Sequence, residues 1–162
     1  MRIGPAALSA LSLSFVSPAM LSAEDLHLGF EIGGTLEQAR IHAYSNGWTL
    51  RPLPEELQRI WVIDGVDADL YICKNRVLAV RRQFDGGIDE FTKLVQQVQR
   101  DKGLPDTNVI TFRSGVRRIS NVDARFEVDD GTEILVQLSS IDGEVGVSTN
   151  VWLAEACADQ IE

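Results

Sequence analysis

The sequence has 162 residues, and its 15 Lys and Arg residues against 24 Asp and Glu residues give a formal net charge of −9. Hydrophobic residues make up 44%, too many for a disordered chain, and the length suits one domain with its own core. The absence of a heptad run and of a Gly-X-Y period excludes a coiled coil and a collagen. The acidic balance predicts that neither nucleic acid nor an anionic membrane is the main partner.

The first 23 residues have the pattern of a secretory signal peptide. Arg2 is the one charged residue among them, an apolar stretch follows, and small residues end the segment. We predict cleavage after Ala19 or Ala23, the alternative being an apolar anchor that is retained. Cleavage would deliver a periplasmic or secreted product without a membrane anchor, because no second apolar run of membrane length follows.

The two cysteines, Cys73 and Cys157, lie far apart in the sequence. In an exported chain such a pair indicates one disulfide, which stabilises the fold by about 4 kcal/mol in the chain-entropy view of a long closed loop. The alternative is two separate buried thiols. Their spacing matches no zinc-binding pattern, so we predict no metal site and no cofactor.

A first helix is predicted to begin at Thr35. Thr35 and Gln38 fit a capping box, in which hydroxyl and amide groups satisfy free backbone N–H groups. Three apolar residues then share one face at helical spacing: Leu36, Ala39 and Ala43. Gly47 is predicted to end the helix in a left-handed conformation, with Trp48 making the accompanying hydrophobic contact.

A second helix is predicted downstream from a single apolar stripe. Its members recur at positions i, i+3, i+7 and i+10: Ile88, Phe91, Val95 and Val98. Gly103 is predicted to end this helix, and Pro105 prevents its continuation. We expect the stripe to be buried and Phe91→Ala to be strongly destabilising.

The rest of the sequence is predicted to form strands joined by short turns, typical of antiparallel meanders. The predicted strands cover residues 58–63, 70–73, 76–84, 109–112, 116–128, 133–139 and 144–153. Residues 24–162 are therefore predicted to form a single α+β domain. Two αβββ-like repeats, at about 28–84 and 85–154, would place both helices on one face of an antiparallel sheet.

Three short stretches carry a family resemblance: Leu28–Thr35 leading into a helix, the Asn46-Gly47-Trp48 stop, and Asp101–Pro105 after the second helix. With this topology the chain resembles the tandem helix-plus-meander β-lactamase-inhibitor-like fold, which is also seen in the small lipoprotein of outer-membrane barrel assembly. The resemblance implies protein–protein binding without catalysis. It assigns no individual functional residue.

Catalytic chemistry has weak support in the sequence. His27 and His42 are the two histidines, and neither belongs to a metal-binding or nucleophile pattern. We expect His42 to face solvent and His42→Ala to change stability by less than about 0.5 kcal/mol. Asp64, Asp67 and Asp69 could supply oxygen ligands to Ca²⁺, but a solvated hairpin turn is the favoured interpretation.

Five residues are candidates for binding another protein. Arg76, Arg82 and Arg117 belong to two basic groups that could form a local positive face in an acidic chain. Charge that protects an edge strand from aggregation is the alternative, and the favoured one. Trp61 and Trp152 lie in predicted strands, where core packing is the default and exposure would indicate a binding hot spot.

The sequence thus predicts an exported, soluble, non-catalytic module of the bacterial envelope that binds another envelope protein through one face of its sheet. The competing hypothesis is a small periplasmic enzyme or ligand carrier, with a site assembled between the two repeats from His42 and Asp64 or Asp67. A purely structural envelope domain is a third possibility. A binding module should expose an apolar or aromatic patch, whereas an enzyme should bring a histidine and a carboxylate together.

Overall fold

In a computed structural model, the described residues 23–54, 59–128 and 131–154 form one eight-stranded antiparallel sheet and two α-helices. A 3-10 turn covers Ala23–His27, and no described helix is long and apolar enough to cross a membrane. The helices are α1 (Leu36–Ser45) and α2 (Ile88–Lys102). The strands are β1 (Thr49–Pro52), β2 (Ile60–Asp64), β3 (Ala68–Cys73), β4 (Arg76–Phe84), β5 (Asp106–Ser114), β6 (Arg117–Glu127), β7 (Thr132–Ile141) and β8 (Glu144–Leu153).

The strand order across the sheet is β1-β2-β3-β4-β8-β7-β6-β5. Each helix is followed by a four-stranded meander, and the two meanders join where β4 pairs with β8. The predicted α+β class is confirmed, while the internal repeat stays a prediction. The first meander has one strand more than expected, because the four residues of β1 are too few to show an alternating pattern.

Both helices lie on the same face of the sheet. Val80 packs in a core cluster with Ala39 and Ala43 of α1, and Val151 packs in a second cluster with α2. Val80 and Val151 are partners across the β4–β8 ladder, and cross-strand partners point to the same face. The opposite face therefore carries the other half of the alternating side chains.

Helix α1 begins and ends as its sequence predicts. Thr35 Oγ1 accepts from the Gln38 backbone N–H at 3.2 Å, and the Gln38 side chain accepts from the Thr35 N–H at 2.7 Å. Gly47 adopts a φ of +74°, and the Trp48 N–H donates to the Ala43 carbonyl. These contacts pair backbone groups that a helix end leaves free.

Helix α2 is buried along a face that differs from the predicted stripe. Phe91, Leu94 and Val98 are buried, but Ile88 is 60% exposed. The expectation that Ile88 is buried is wrong. Ile88 is the first residue of the helix and lies at the margin of the buried face, whose centre is formed by Phe91, Leu94 and Val98. Leu94, which the predicted stripe omitted, is 1% exposed.

Two hairpin turns use left-handed residues. Lys74 and Asn75, between β3 and β4, have φ values of +47° and +65°. Asp142 and Gly143, between β7 and β8, have φ values of +54° and +97°. Turns of this hand match the twist of the flanking strands, so both predicted hairpins are confirmed.

Two predictions fall largely on residues that the structure does not describe. The predicted signal peptide lies outside the described residues except for Ala23. Cys73 ends β3 and is not a free thiol, but Cys157 lies outside the described residues, so the Cys73–Cys157 bridge stays a prediction. Mass spectrometry of the purified chain before and after reduction tests it; two free thiols before reduction would reject the bridge.

Candidate functional site

The sheet face opposite the helices carries a groove of about 370 Å³. Leu70, Val80 and Val151 point toward the helices, so the residues next to them in β3, β4 and β8 point to this open face. The groove walls include six side chains from β2, β3, β4 and β8: Ile60, Asp69, Tyr71, Arg81, Asn150 and Trp152.

An aromatic slot forms one row of the groove. Tyr71 pairs with Ala79 across the β3–β4 ladder, and Ala79 pairs with Trp152 across the β4–β8 ladder. The methyl group of Ala79 is small, so the two rings flank a gap on the sheet surface. Aromatic rings around a gap of this kind suit the insertion of an apolar side chain.

A polar row lies two residues along the same strands. Asp69 pairs with Arg81, and Arg81 pairs with Asn150. Burial raises the pKa of Asp69 above its ordinary 3.8; the positive charge of Arg81 partly opposes this rise, and the negative charge of Asp67 adds to it. Two rows of opposite character, one aromatic and one polar, therefore lie side by side.

The raised pKa of Asp69 predicts a pH-dependent stability. Between pH 3.8 and the raised pKa, the folded chain binds more protons at Asp69 than the unfolded chain does. The free energy of unfolding therefore falls as the pH rises through this interval, and the contribution stays constant above it. Asp69→Asn should remove this fall, which urea unfolding of both proteins across the acidic range measures. An unchanged pH slope in the variant would contradict the assignment.

The polar row contains a buried acceptor without a partner. The Oδ1 atom of Asn150 is shielded from solvent and accepts no hydrogen bond from the described residues. An unpaired buried polar atom costs about 1–3 kcal/mol. Asn150 lines the groove, so a ligand N–H could satisfy this acceptor only if the side-chain amide turned toward the groove.

Arginine side chains hold both aromatic rings in place. The Arg125 guanidinium lies 5.6 Å from the Trp152 ring centre, and its Nη1 lies 3.4 Å from Glu133 Oε2. Arg59 Nη1 donates to the Tyr71 hydroxyl at 3.1 Å. The cation–π contact and the hydrogen bond restrict the two rings, which lowers the entropy cost of closing on a ligand.

The five residues predicted to bind another protein do not lie together in the structure. Trp152 lines the groove, but Trp61 lies on the helix face, 5.1 Å from the Arg40 guanidinium. Arg82 also points to the helix face and donates to the Asp25 carbonyl at 2.9 Å. Arg76 lies at the start of β4, and Arg117 lies at the start of β6, near the far edge of the sheet.

Sequence reasoning missed Asp69, Tyr71, Arg81 and Asn150 as a group. Alternation along β3 and β4 places Asp69, Tyr71 and Arg81 on one face once the hairpin register is known. The missing signal is the pairing of β4 with β8, which joins segments that are distant in the sequence.

The expectation that His42 faces solvent is wrong. His42 is half-buried, its ring contacts Phe30 edge-on at 4.7 Å, and Trp48 lies 6.2 Å away. Its Nε2 atom donates to the Leu28 carbonyl at 2.8 Å, because a carbonyl oxygen can only accept. The chain before α1 folds back over this flank of the helix, which helical periodicity alone does not show.

The structure separates His42 from Asp64. His42 belongs to the helix side of the sheet, whereas Asp64 pairs with Thr49 on the open face and forms an ion pair with Arg51 at 3.3 Å. Within the described ranges, no group of three or more His, Cys, Asp or Glu side chains is placed to hold a metal ion. The His42–Asp64 site proposed for an enzyme is therefore not formed.

A second cavity, of about 420 Å³, lies on the helix face. One wall comes from the segment before α1, with His27 and Glu31. The other comes from the second meander, with Ile134 and Val151. The His27 Nδ1 atom is buried and accepts or donates no hydrogen bond among the described residues.

No family model, no curated protein and no solved structure matches this chain. The similarity to the β-lactamase-inhibitor-like fold therefore stays a prediction from the sequence.

Proposed function

We propose that the chain is an exported, non-catalytic module of the bacterial envelope that binds another protein through the open face of its sheet. The groove between Tyr71 and Trp152 is the centre of the contact. The observation that carries the proposal is the aromatic slot placed next to the unpaired buried acceptor of Asn150. Buried aromatic residues with an adjacent polar anchor are typical of binding hot spots.

The chemistry of the groove defines the segment it would accept. A loop of the partner would insert an apolar side chain between the two rings. Its N–H group would bond to Asn150 Oδ1 once the amide of Asn150 turned toward the groove. Asp69 and Arg81 carry opposite charges in the polar row, so a neutral or zwitterionic segment fits better than a strongly charged one.

The export of the module is supported by the sequence alone. The segment before residue 24 has a cationic start, an apolar stretch and a small-residue end. A periplasmic or secreted product would meet partners in the envelope. The net charge of −9 opposes binding to nucleic acid, whose phosphates repel an acidic surface.

Trp152→Ala tests the contact. We select peptides that bind the purified chain from a random displayed library and measure their affinity for each variant. Trp152→Ala should weaken binding at least about tenfold, the effect of losing about 1.4 kcal/mol. Tyr44→Ala is the control, because Tyr44 is an 85% exposed aromatic residue on α1. Peptides that bind both variants equally well would overturn the proposal.

Asn150→Leu separates binding from folding. The side chain has a similar size and removes the unpaired acceptor, so urea unfolding should show equal or higher stability. The affinity for the selected peptides should nevertheless fall, because their N–H donor would lose its acceptor. A variant that binds as tightly as the parent chain would show that Asn150 takes no part in recognition.

The alternative, a ligand carrier or small enzyme, is favoured by the second cavity and the unpaired His27 Nδ1. A polar small molecule that donates to or accepts from this nitrogen would fill a site between the segment before α1 and the second meander. Native mass spectrometry of the purified chain tests this function. A bound small molecule that is lost in His27→Ala would favour the carrier over the protein-binding module.

A further inference from the structure

Strand β5 forms an unusually open edge of the sheet. All nine of its residues are exposed, it pairs with β6 along its full length, and no described strand lies on its other side. Helix α2 packs over β6 and β7. The outward N–H and C=O groups of β5 form a template for another strand.

The sequence of β5 lacks the usual protection of an edge. Its central residues 107–112 contain no charge, no Pro and no Gly, and they are rich in β-branched and aromatic types. The opposite edge, β1, has four residues, including Arg51 and Pro52, and Pro52 has no N–H to offer. Edge β1 is therefore protected, whereas the outward edge of β5 is open to pairing with another strand.

We propose that β5 pairs with β5 of a second copy of this chain, antiparallel and related by a twofold axis through Ile110. If the twofold axis is perpendicular to the sheet, the two residues that pair between the copies must point to the same face of the sheet. Centring the pair on Ile110 satisfies this rule and brings all nine residues of each strand into the ladder, with Asp106 opposite Ser114.

The side chains in this register are complementary. Val109 meets Thr111 and Ile110 meets its own copy, so the centre consists of β-favouring residues. Asn108 meets Phe112, and none of these pairs brings like charges together. Val109 and Phe112 are 69% and 47% exposed in the single chain, and the pairing would cover them.

The charges at the two ends of the strand also match. Within the chain, Ser114 is the register partner of Arg117, so Asp106 of the second copy would lie two strands from Arg117 on the same face. Two strand spacings are about 10 Å, which the long Arg117 side chain can cross over the small Ser114. This ion pair would occur twice in the dimer and gives Arg117 a role at the interface.

The dimer would contain one continuous sheet. The helices of both copies would lie on one side, and both grooves would open on the other, so dimerisation leaves the proposed binding face accessible. This inference does not depend on the proposed function.

Analytical ultracentrifugation of the purified chain tests the pairing. The chain should sediment as a dimer that dissociates on dilution, and Ile110→Lys should raise the dissociation constant at least about tenfold, because two lysines would meet at the twofold axis. Ile110→Thr is the matched control and should remain dimeric, since Thr is uncharged and favours strands. Circular dichroism checks that both variants fold. A monomer at every concentration, or a dimer that Ile110→Lys does not weaken, would overturn the inference.

A double-mutant cycle tests the register. Asp106→Asn and Arg117→Gln should each weaken the dimer, and the double variant should lose little more than either single variant, because the two charges interact across the interface. Neutral replacements are used because Asp106 also lies opposite Arg125 of its own chain. Losses that add in the double variant would contradict the Ile110-centred register.

Discussion

Phe91→Ala is expected to lower the free energy of unfolding by about 3–5 kcal/mol. Phe91 is 9% exposed and lies in the core cluster of α2, together with Leu94, Phe126 and Ile134. Removing the ring deletes apolar contacts and leaves a cavity, since strands β6 and β7 beneath it are held by their ladders and cannot collapse onto α2. Urea unfolding followed by circular dichroism measures the change.

Ile88→Ala in the same helix is the matched control. Ile88 is 60% exposed, so its truncation should change stability by less than about 0.5 kcal/mol. Comparable losses in both variants would contradict the helix face that the structure assigns.

His42→Ala is expected to lower the free energy of unfolding by about 1–3 kcal/mol. The substitution removes the Nε2 donor of the Leu28 carbonyl and the edge contact with Phe30, which is 1% exposed. The turn around the histidine is tight, because a Cβ on Gly29 would lie 2.9 Å from His42 Cε1. The surrounding chain therefore cannot fill the space without moving.

The control for His42 is Ile41→Ala, one residue away on α1. Ile41 is 59% exposed, and alanine favours helix, so this variant should stay within about 0.5 kcal/mol of the parent chain. Chemical denaturation of both variants separates the two predictions. If His42→Ala were as stable as Ile41→Ala, the buried contacts of His42 would contribute nothing, and the surface position expected from the sequence would be correct.

Local signals in the sequence predict local structure well. The Thr35–Gln38 capping box, the Gly47 stop and the Lys74-Asn75 turn are set by residues within a few positions of one another. Each depends on one backbone conformation or one hydrogen bond, so the residue types determine it. The α+β class follows from the same signals, since two amphipathic helices and a series of short-turn strands have few ways to bury their apolar faces.

Contacts between distant segments are not predicted by periodicity. The helix face defined by Leu36, Ala39 and Ala43 predicts a surface position for His42, whereas in the structure the Leu28–Phe30 segment covers its flank. The sequence predicts a strand over residues 109–112, and β5 extends over Asp106–Ser114 because its pairing with β6 continues past the apolar centre.

The groove also depends on pairing between segments that are distant in the sequence. Residue type alone makes Trp152 a candidate, but most of its neighbours in the groove come from β3 and β4. Arg82, another candidate, differs from Arg81 by one position and therefore points to the opposite face. Only the order of the strands identifies which of the two arginines lies beside Trp152.

Site-specific photo-crosslinking in the native cells most directly tests whether the open face binds a partner. A photoreactive residue at Ser139 of β7 would lie on the open face, and matched labels at Glu37 of α1 and Lys93 of α2 would lie on the exposed helix side. The account predicts a covalent adduct with one other protein from position 139, absent from positions 37 and 93 and lost when Trp152 is replaced by alanine. Adducts that form from the helix positions and not from position 139 would contradict it.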